Sequence, residues 1–400
     1  MMADLLITHP GKHHVLHLVA GCIMAGASGQ YVTPFYCRGL GRLVSLMPGD
    51  VGMKAKGYFH AGLPRESVVA PVDWQLRKLW SFYRGTSSYE SAFDSWVAKE
   101  IGGGKLRAKI IVTLQDYMPK TVRAAKARGF SIWSDQISNQ SAETSARITR
   151  HEEAHGLSAS WRHDETENAE IVGLADFVTV PSAYTLEGVQ GHIAPLANIS
   201  IVPYGADPER FQVDRIEDSE EIVVLARAQS VRKGGHLLCR ALSECGPTLL
   251  RLCSPRRIKV VILGDLEPTL NLILDQVVLP PGLTVEHGSV PHRMIPQLYQ
   301  RASLFVMPSL SESMSLACIE ALHAGLPLII TRYCGIDDFI HGRMGYEIAD
   351  TTESLAAAMV SAFEHRQQWR QWGMEAKRLA DQLTWSAYEE RISQLANDIL

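Results

Sequence analysis

Short apolar runs of strand character alternate with helical patterns along nearly the whole chain, and they do so in two series. The first opens at DLLITHP, passes into HVLHLVAGCIMAGA, whose apolar positions fit a helix, and returns to strand at QYVTPFY. It continues through KIIVTL, the helical TVRAAKARG, FSIWSD, ADFVTVPS and the helical YTLEGVQGH. The second reads EIVVLA, GGHLLCRALSEC, IKVVILG, EPTLNLILDQV, LTVEHG, RMIPQLYQRA, SLFVMP, SLACIEALHAG and PLIITR. Strands spaced by helices in this way predict an α/β protein with doubly wound parallel sheets covered on both faces. Residues 202–221, VPYGADPERFQVDRIEDSEE, break the rhythm with prolines, a glycine and a run of acids, so they read as a linker. A chain of 400 residues is long enough for two domains at roughly 150 residues each.

Composition narrows the function classes. With 46% hydrophobic residues and no strong Gly or Pro bias, the chain is neither collagen-like nor low-complexity. The balance of 39 Lys+Arg against 43 Asp+Glu lacks the footprint of a nucleic-acid binder, and no nucleic-acid partner is expected. Seven cysteines, an odd number without a C-x-x-C pair, predict reduced and buried thiols. The start, MMADLLITHPGKHH, has no basic leader pattern, and the apolar stretch from Val15 to Ala27 is shorter than the ~20 residues of a membrane span. A cytoplasmic location is expected.

Ligands of open parallel sheets bind beyond the carboxyl ends of the strands, and three loops there carry chemistry. ARAQSVRKGG, residues 226–235, holds Arg227, Arg232 and Lys233 beside a helix start, which suits a phosphate or diphosphate, although a solvated basic loop has the same composition. SLSESMSLACIEALHAG, residues 309–325, places Glu312 in the loop and Glu320 about two helical turns later. Between them, Ser313, Met314, Ser315 and Leu316 offer backbone N–H groups to an anion. The alternative is a helix-start acid and a glutamate paired with a buried base. The third loop, THPGKHH, combines Gly11 with Lys12, His13 and His14, and its histidines match no metal-binding spacing. Neither a Rossmann fingerprint nor a Walker A sequence is present.

The string MPSLSESMSLACIEALHAGLPLIITRYCGIDDFI resembles the signature of retaining GT-B glycosyltransferases of family 4, P-S-x-x-E-x(7)-E-A-x-x-x-G-x-P-V. VPYGADPERF and ARAQSVRKGG resemble the family's V-P-x-G-V-D-x-x-x-F and G-R-L-x-x-x-K-G segments in the same order, and GSVPHRMIPQLYQRASLFVMPS its donor-site strands. The likeness is strong from about Val202 to Gln382. It implies a GT-B fold of two Rossmann-like domains, 1–205 on the acceptor side and 206–382 holding the donor, with residues 383–400 crossing back onto the first domain. It further implies a nucleotide-diphosphate sugar as donor, a glycan or lipid-linked acceptor, and neither a cofactor nor a bound metal. On matching positions, Arg227 and Lys233 neutralise the diphosphate, Glu320 binds the ribose, and Glu312 contacts the transferred sugar. The backbone of Ser313, Met314, Ser315 and Leu316 completes the cradle, and Gly11 matches the loop that closes over the diphosphate. The sequence departs from the pattern at Ala226, at Glu312-Ser313-Met314-Ser315 in place of E-G-F-G, and at Asp135, where many members place a histidine. Asp135 and His13 are therefore expected on the sugar or acceptor side.

Residues 31–85 hold eight basic side chains against three acids, interleaved with Trp74, Trp80, Phe82 and tyrosines. That stretch is a candidate for peripheral contact with an anionic membrane face; a solvated face over core aromatics is the alternative. The reading as a whole is a retaining glycosyltransferase of cell-surface polysaccharide or glycolipid assembly. A catalytically silent GT-B module and a sugar-nucleotide epimerase on the same fold are its rivals.

Overall fold

The computed structural model describes residues 3–37, 55–84, 89–156, 165–216 and 220–400, with Leu43, Leu46 and Gly52. Arg38, Arg42, Lys54 and the side chains of Phe82 and Arg84, counted in the basic stretch above, lie outside the described residues.

The first sheet comprises β1 (Ala3–Thr8), β2 (Gly29–Val32), β3 (Val68–Val69), β4 (Ala108–Leu114), β5 (Ser131–Asp135), β6 (Phe177–Val180) and β7 (Asn198–Ile201), in the order 3-2-1-4-5-6-7. The second comprises β8 (Glu221–Ala226), β9 (Arg257–Leu263), β10 (Leu283–Gly288), β11 (Leu304–Met307), β12 (Leu328–Thr331) and β13 (Gly345–Ile348), in the order 10-9-8-11-12-13. Every pairing is parallel, with Leu5 opposite Ile110 at β1/β4 and Val224 opposite Leu304 at β8/β11. In each sheet the first strand lies beside the fourth, so the winding reverses there and leaves a crevice at the carboxyl ends.

Helices on both faces explain why the central strands read as continuous apolar runs: Leu5, Leu6 and Ile7 are all buried. The seven cysteines are free and buried. Beyond the second sheet the chain returns through a parallel bridge between Ala206 and Thr384. It then forms the helix Trp385–Ile399, which packs on Val15–Met24, the first helix of the chain. At Gly21 an added Cβ would lie 2.7 Å from the Glu389 carbonyl oxygen and 2.7 Å from Ile392, so only glycine admits so close an approach. Among the described residues, no helix is long and apolar enough to cross a membrane.

Candidate active site

The crevice of the second sheet is built by the loops after β8 and β11. Gly234 has φ 73°, and an added Cβ would stand 2.0 Å from the Pro308 carbonyl oxygen, so the two loops pack backbone to backbone. That approach brings Lys233 Nζ to 2.8 Å and Arg232 Nη1 to 3.0 Å from the same Glu312 oxygen. Burial alone raises the Glu312 carboxyl, but Lys233 and Arg232 outweigh it and hold the group below its usual value. Arg227, at the end of β8, instead donates from Nη1 to the Leu263 carbonyl at 2.9 Å. Arg232, which the motif left without a role, is thus the second cation on Glu312. Its presence in the same basic loop was the only sign of this in the sequence.

Glu320 lies on the helix Leu316–His323, where its Oε2 accepts from Tyr299 Oη at 2.9 Å. Burial raises its pKa, against the pull of Tyr299, Arg210 and Arg227. Ser315 caps the helix by accepting from the Cys318 N–H at 3.3 Å, and its own N–H donates to the Cys334 carbonyl at 2.8 Å. Of the four backbone N–H groups expected to face an anion, that of Ser315 is already bonded within the protein. Met314 is buried, and its sulfur accepts from the Tyr204 N–H at 3.2 Å. The Ser313 carbonyl accepts from Ser182 Oγ at 2.5 Å and Thr185 Oγ1 at 3.2 Å, which ties this loop to the first domain.

Across the crevice, the turn after β1 presents His9, Gly11, His13 and His14. His13 lines an interdomain cleft of about 680 Å³ together with Gln115, Asp116, Arg232, Glu312 and Ser313. Desolvation, followed by the charge of His14, pushes His13 down to about 4, so the ring is neutral at pH 7. His9 is fully buried, and neither ring nitrogen has a hydrogen-bond partner. Asp135 does not face the cleft as a bare acid. It is 3% exposed, and its two oxygens are engaged by His14 Nε2 at 2.7 Å and Thr179 Oγ1 at 2.5 Å. Asp135, expected on the sugar or acceptor side, is thus buried at the end of β5 and paired with His14.

Two further residues escaped the sequence patterns. Gln115 has φ 45° and spans Ile137 and Ser138 at the cleft wall, an uncommon backbone state for a residue with a side chain. Arg147, 4% exposed, stacks 3.7 Å over Tyr333 and donates to the Leu310 carbonyl at 3.2 Å, joining the first domain to the Glu312 loop. No local motif announces either.

Two Rossmann-like parallel sheets whose carboxyl ends meet across a cleft define the GT-B fold. Residues 219–365, which hold the second sheet, match the family described as Glycosyl transferases group 1. The chain is 24% identical over 211 residues to the phosphatidylinositol N-acetylglucosaminyltransferase gpi3 subunit of Schizosaccharomyces pombe, covering 50% of this chain and 44% of that protein. It is 23% identical over 226 residues to the putative colanic acid biosynthesis glycosyltransferase WcaL of Escherichia coli, covering 52% and 53%. These matches span about half the length of each relative. Among solved structures, HepE of Anabaena in complex with UDP-glucose aligns over 99% of this chain and 100% of its own, with TM-score 0.66 and 14% identity, which shows the shared fold.

Proposed function

We propose that the protein is a retaining, metal-independent glycosyltransferase that moves a sugar from a nucleotide-diphosphate donor to a glycan or lipid-linked acceptor, in cell-surface polysaccharide or glycolipid assembly. Residues 1–205 form the acceptor lobe, 206–382 the donor lobe, and 383–400 the helix that couples them. The observation carrying this reading is the Arg232–Glu312–Lys233 cluster at the strand ends of the donor lobe, opposite the His13 turn. A diphosphate entering there takes the two cations from Glu312, and Arg227 adds a third positive charge at the end of β8. These fixed charges stabilise the negative charge that develops on the leaving diphosphate, the task a divalent cation performs elsewhere.

Released from its ion pairs, Glu312 reaches the sugar, Glu320 holds the ribose, and Ser313, Met314 and Leu316 cradle the phosphate while Gly11 lets the opposite turn close over it. The leaving phosphate oxygen removes the acceptor proton on the same face of the sugar, so no protein nucleophile is assigned. Neutral His13 and Asp116 line the acceptor half of the cleft and offer hydrogen-bond acceptors to glycan hydroxyls, on a wall held in shape by Gln115. HepE, of the same fold, is bound to UDP-glucose in its structure, which supports a nucleotide sugar as the donor.

The same lobe supports contact with the inner face of a membrane. On the helix Val72–Arg84, Val72, Leu76 and Trp80 are 62%, 53% and 59% exposed at i, i+4 and i+8, one apolar stripe beside exposed Arg77. Trp74 and Lys78, counted above in the basic aromatic stretch, turn inward: Trp74 packs on Phe93, and Lys78 is buried on Tyr89.

The experiment is a thermal-shift screen of UDP-, GDP- and ADP-sugars, followed by NMR of the product anomer. A donor at about 100 times its dissociation constant adds roughly 2.7 kcal/mol of stability. Retained anomeric configuration supports the reading. Binding without transfer to any acceptor favours the silent module, and acceptor-free conversion of the donor favours the epimerase.

A further inference from the structure

The helix Trp385–Ile399 meets the first domain through His17, His60 and Glu389. We propose that His17 Nδ1, His60 Nε2 and a Glu389 oxygen form a divalent transition-metal site, of the class that takes Zn²⁺, which pins the C-terminal helix to the first domain. The three side chains come from separate places: the helix Val15–Met24, the loop before Arg65–Ser67, and the returning helix. Glu389 Oε1 lies 2.6 Å from His17 Nδ1 and 3.1 Å from His60 Nε2, and all three ligand atoms fall within 4.8 Å of one another. A tetrahedral zinc about 2.0–2.1 Å from each ligand requires spacings of roughly 3.3 Å, inside that range.

Both rings are held in place. His17 stacks on Trp385 at 4.2 Å with planes 3° apart. The His60 backbone is fixed at both ends by Tyr36 Oη, which donates to its carbonyl at 3.1 Å and accepts its N–H at 3.3 Å. The side chains are 25%, 19% and 15% exposed for His17, His60 and Glu389, so the site is sheltered yet reachable. Two imidazoles and one carboxylate suit zinc over magnesium or calcium, and three protein ligands leave a fourth position for water.

Without metal, each ring donates one N–H to the carboxylate. Coordination moves each ring proton to the other nitrogen, with no net proton lost. At His60 this gives up the Gly62 N–H contact to Nδ1, 3.2 Å long and in an exposed turn that can rehydrate. Occupancy therefore sets how firmly the helix Trp385–Ile399 is anchored to the first domain.

The test uses the full-length protein, stripped with EDTA and titrated with Zn²⁺ by calorimetry and with Co²⁺ by visible absorption. Expected are one equivalent bound, d–d bands of a four-coordinate centre, and a rise in Tm that EDTA reverses. His60→Gln, in a loop, and Glu389→Gln, isosteric, each weaken Zn²⁺ binding tenfold or more, whereas His236→Gln, on the separate cluster that His236 forms with His151 and His155, leaves it unchanged. No stoichiometric binding by the wild type, or equal binding by His60→Gln, overturns the site and leaves a hydrogen-bonded latch only.

Discussion

His14 Nε2 and Asp135 Oδ2 are 2.7 Å apart, both buried, one at the start of the helix Val15–Met24 and the other at the end of β5. The pair sets the ring orientation of His14, which also packs against Tyr204 at 4.4 Å between centroids. Asp135→Ala strands His14 and Thr179, at a cost of about 1–3 kcal/mol for each buried donor left unpaired. Urea denaturation is expected to show that loss. An unchanged midpoint contradicts the pairing.

Lys233→Ala and Glu312→Gln are expected to lower transfer by about 10²–10³-fold, the scale of removing one preorganised electrostatic contact. The two side chains are only 13% and 16% exposed, so they are not the surface-loop groups that the loop composition implies. Lys233→Ala is accordingly expected to cost stability as well, whereas Glu312→Gln keeps the shape. Steady-state kinetics beside thermal melts separate the effects, and full activity in either variant removes the site assignment.

The Glu312 carboxyl is held below its usual value of 4.5. Its contribution is complete above that pH and is lost as the pH falls through the lower folded-state value. Stability measured from pH 6 to 3 is expected to fall more steeply for the wild type than for Glu312→Gln.

His236 is 1% exposed and, pressed by burial and then by His151 and His155, titrates near 3 rather than 6.5. The unfolded chain takes up that proton first, so stability is full above 6.5 and declines as the pH falls toward 3. Each such proton contributes a slope of up to about 1.4 kcal/mol per pH unit. His236→Gln is expected to flatten the decline between pH 6.5 and 4, and an unaltered slope refutes its source.

Leu76→Ser with Trp80→Ser is expected to reduce partitioning onto anionic vesicles by tenfold or more, since each side chain forfeits about 1.5–3 kcal/mol of apolar burial. Co-sedimentation measures it. Unchanged binding removes the membrane role of this helix.

Strand and helix alternation in both halves was legible because central parallel strands are apolar on both faces: LLIT, IIVTL, IVVLA and LFVM carry the signal in their own residues. Among the edge strands, β10 was read as LTVEHG, but β7 and β13 did not show it. β7 is largely exposed, and β13 is a four-residue run, GYEI, that alternates too briefly to register. In the candidate site, Glu312, Arg227, Lys233 and Gly11 drew attention because each lies in a loop at a strand end, and Glu320 because of its eight-residue spacing from Glu312, which places it on the helix that follows.

What the sequence by itself determined is therefore the layering, the two-sheet order and the loops that carry charge, because local periodicity and turn chemistry act over a few residues. Only the tertiary structure decided which partners those residues take. Arg232 rather than Arg227 reaches Glu312, Asp135 is silenced by His14 121 residues away, and Glu389 meets His17 across 372 residues. Such pairings depend on which loops the two sheets bring face to face and on where the last helix returns, distances in space that no local pattern encodes.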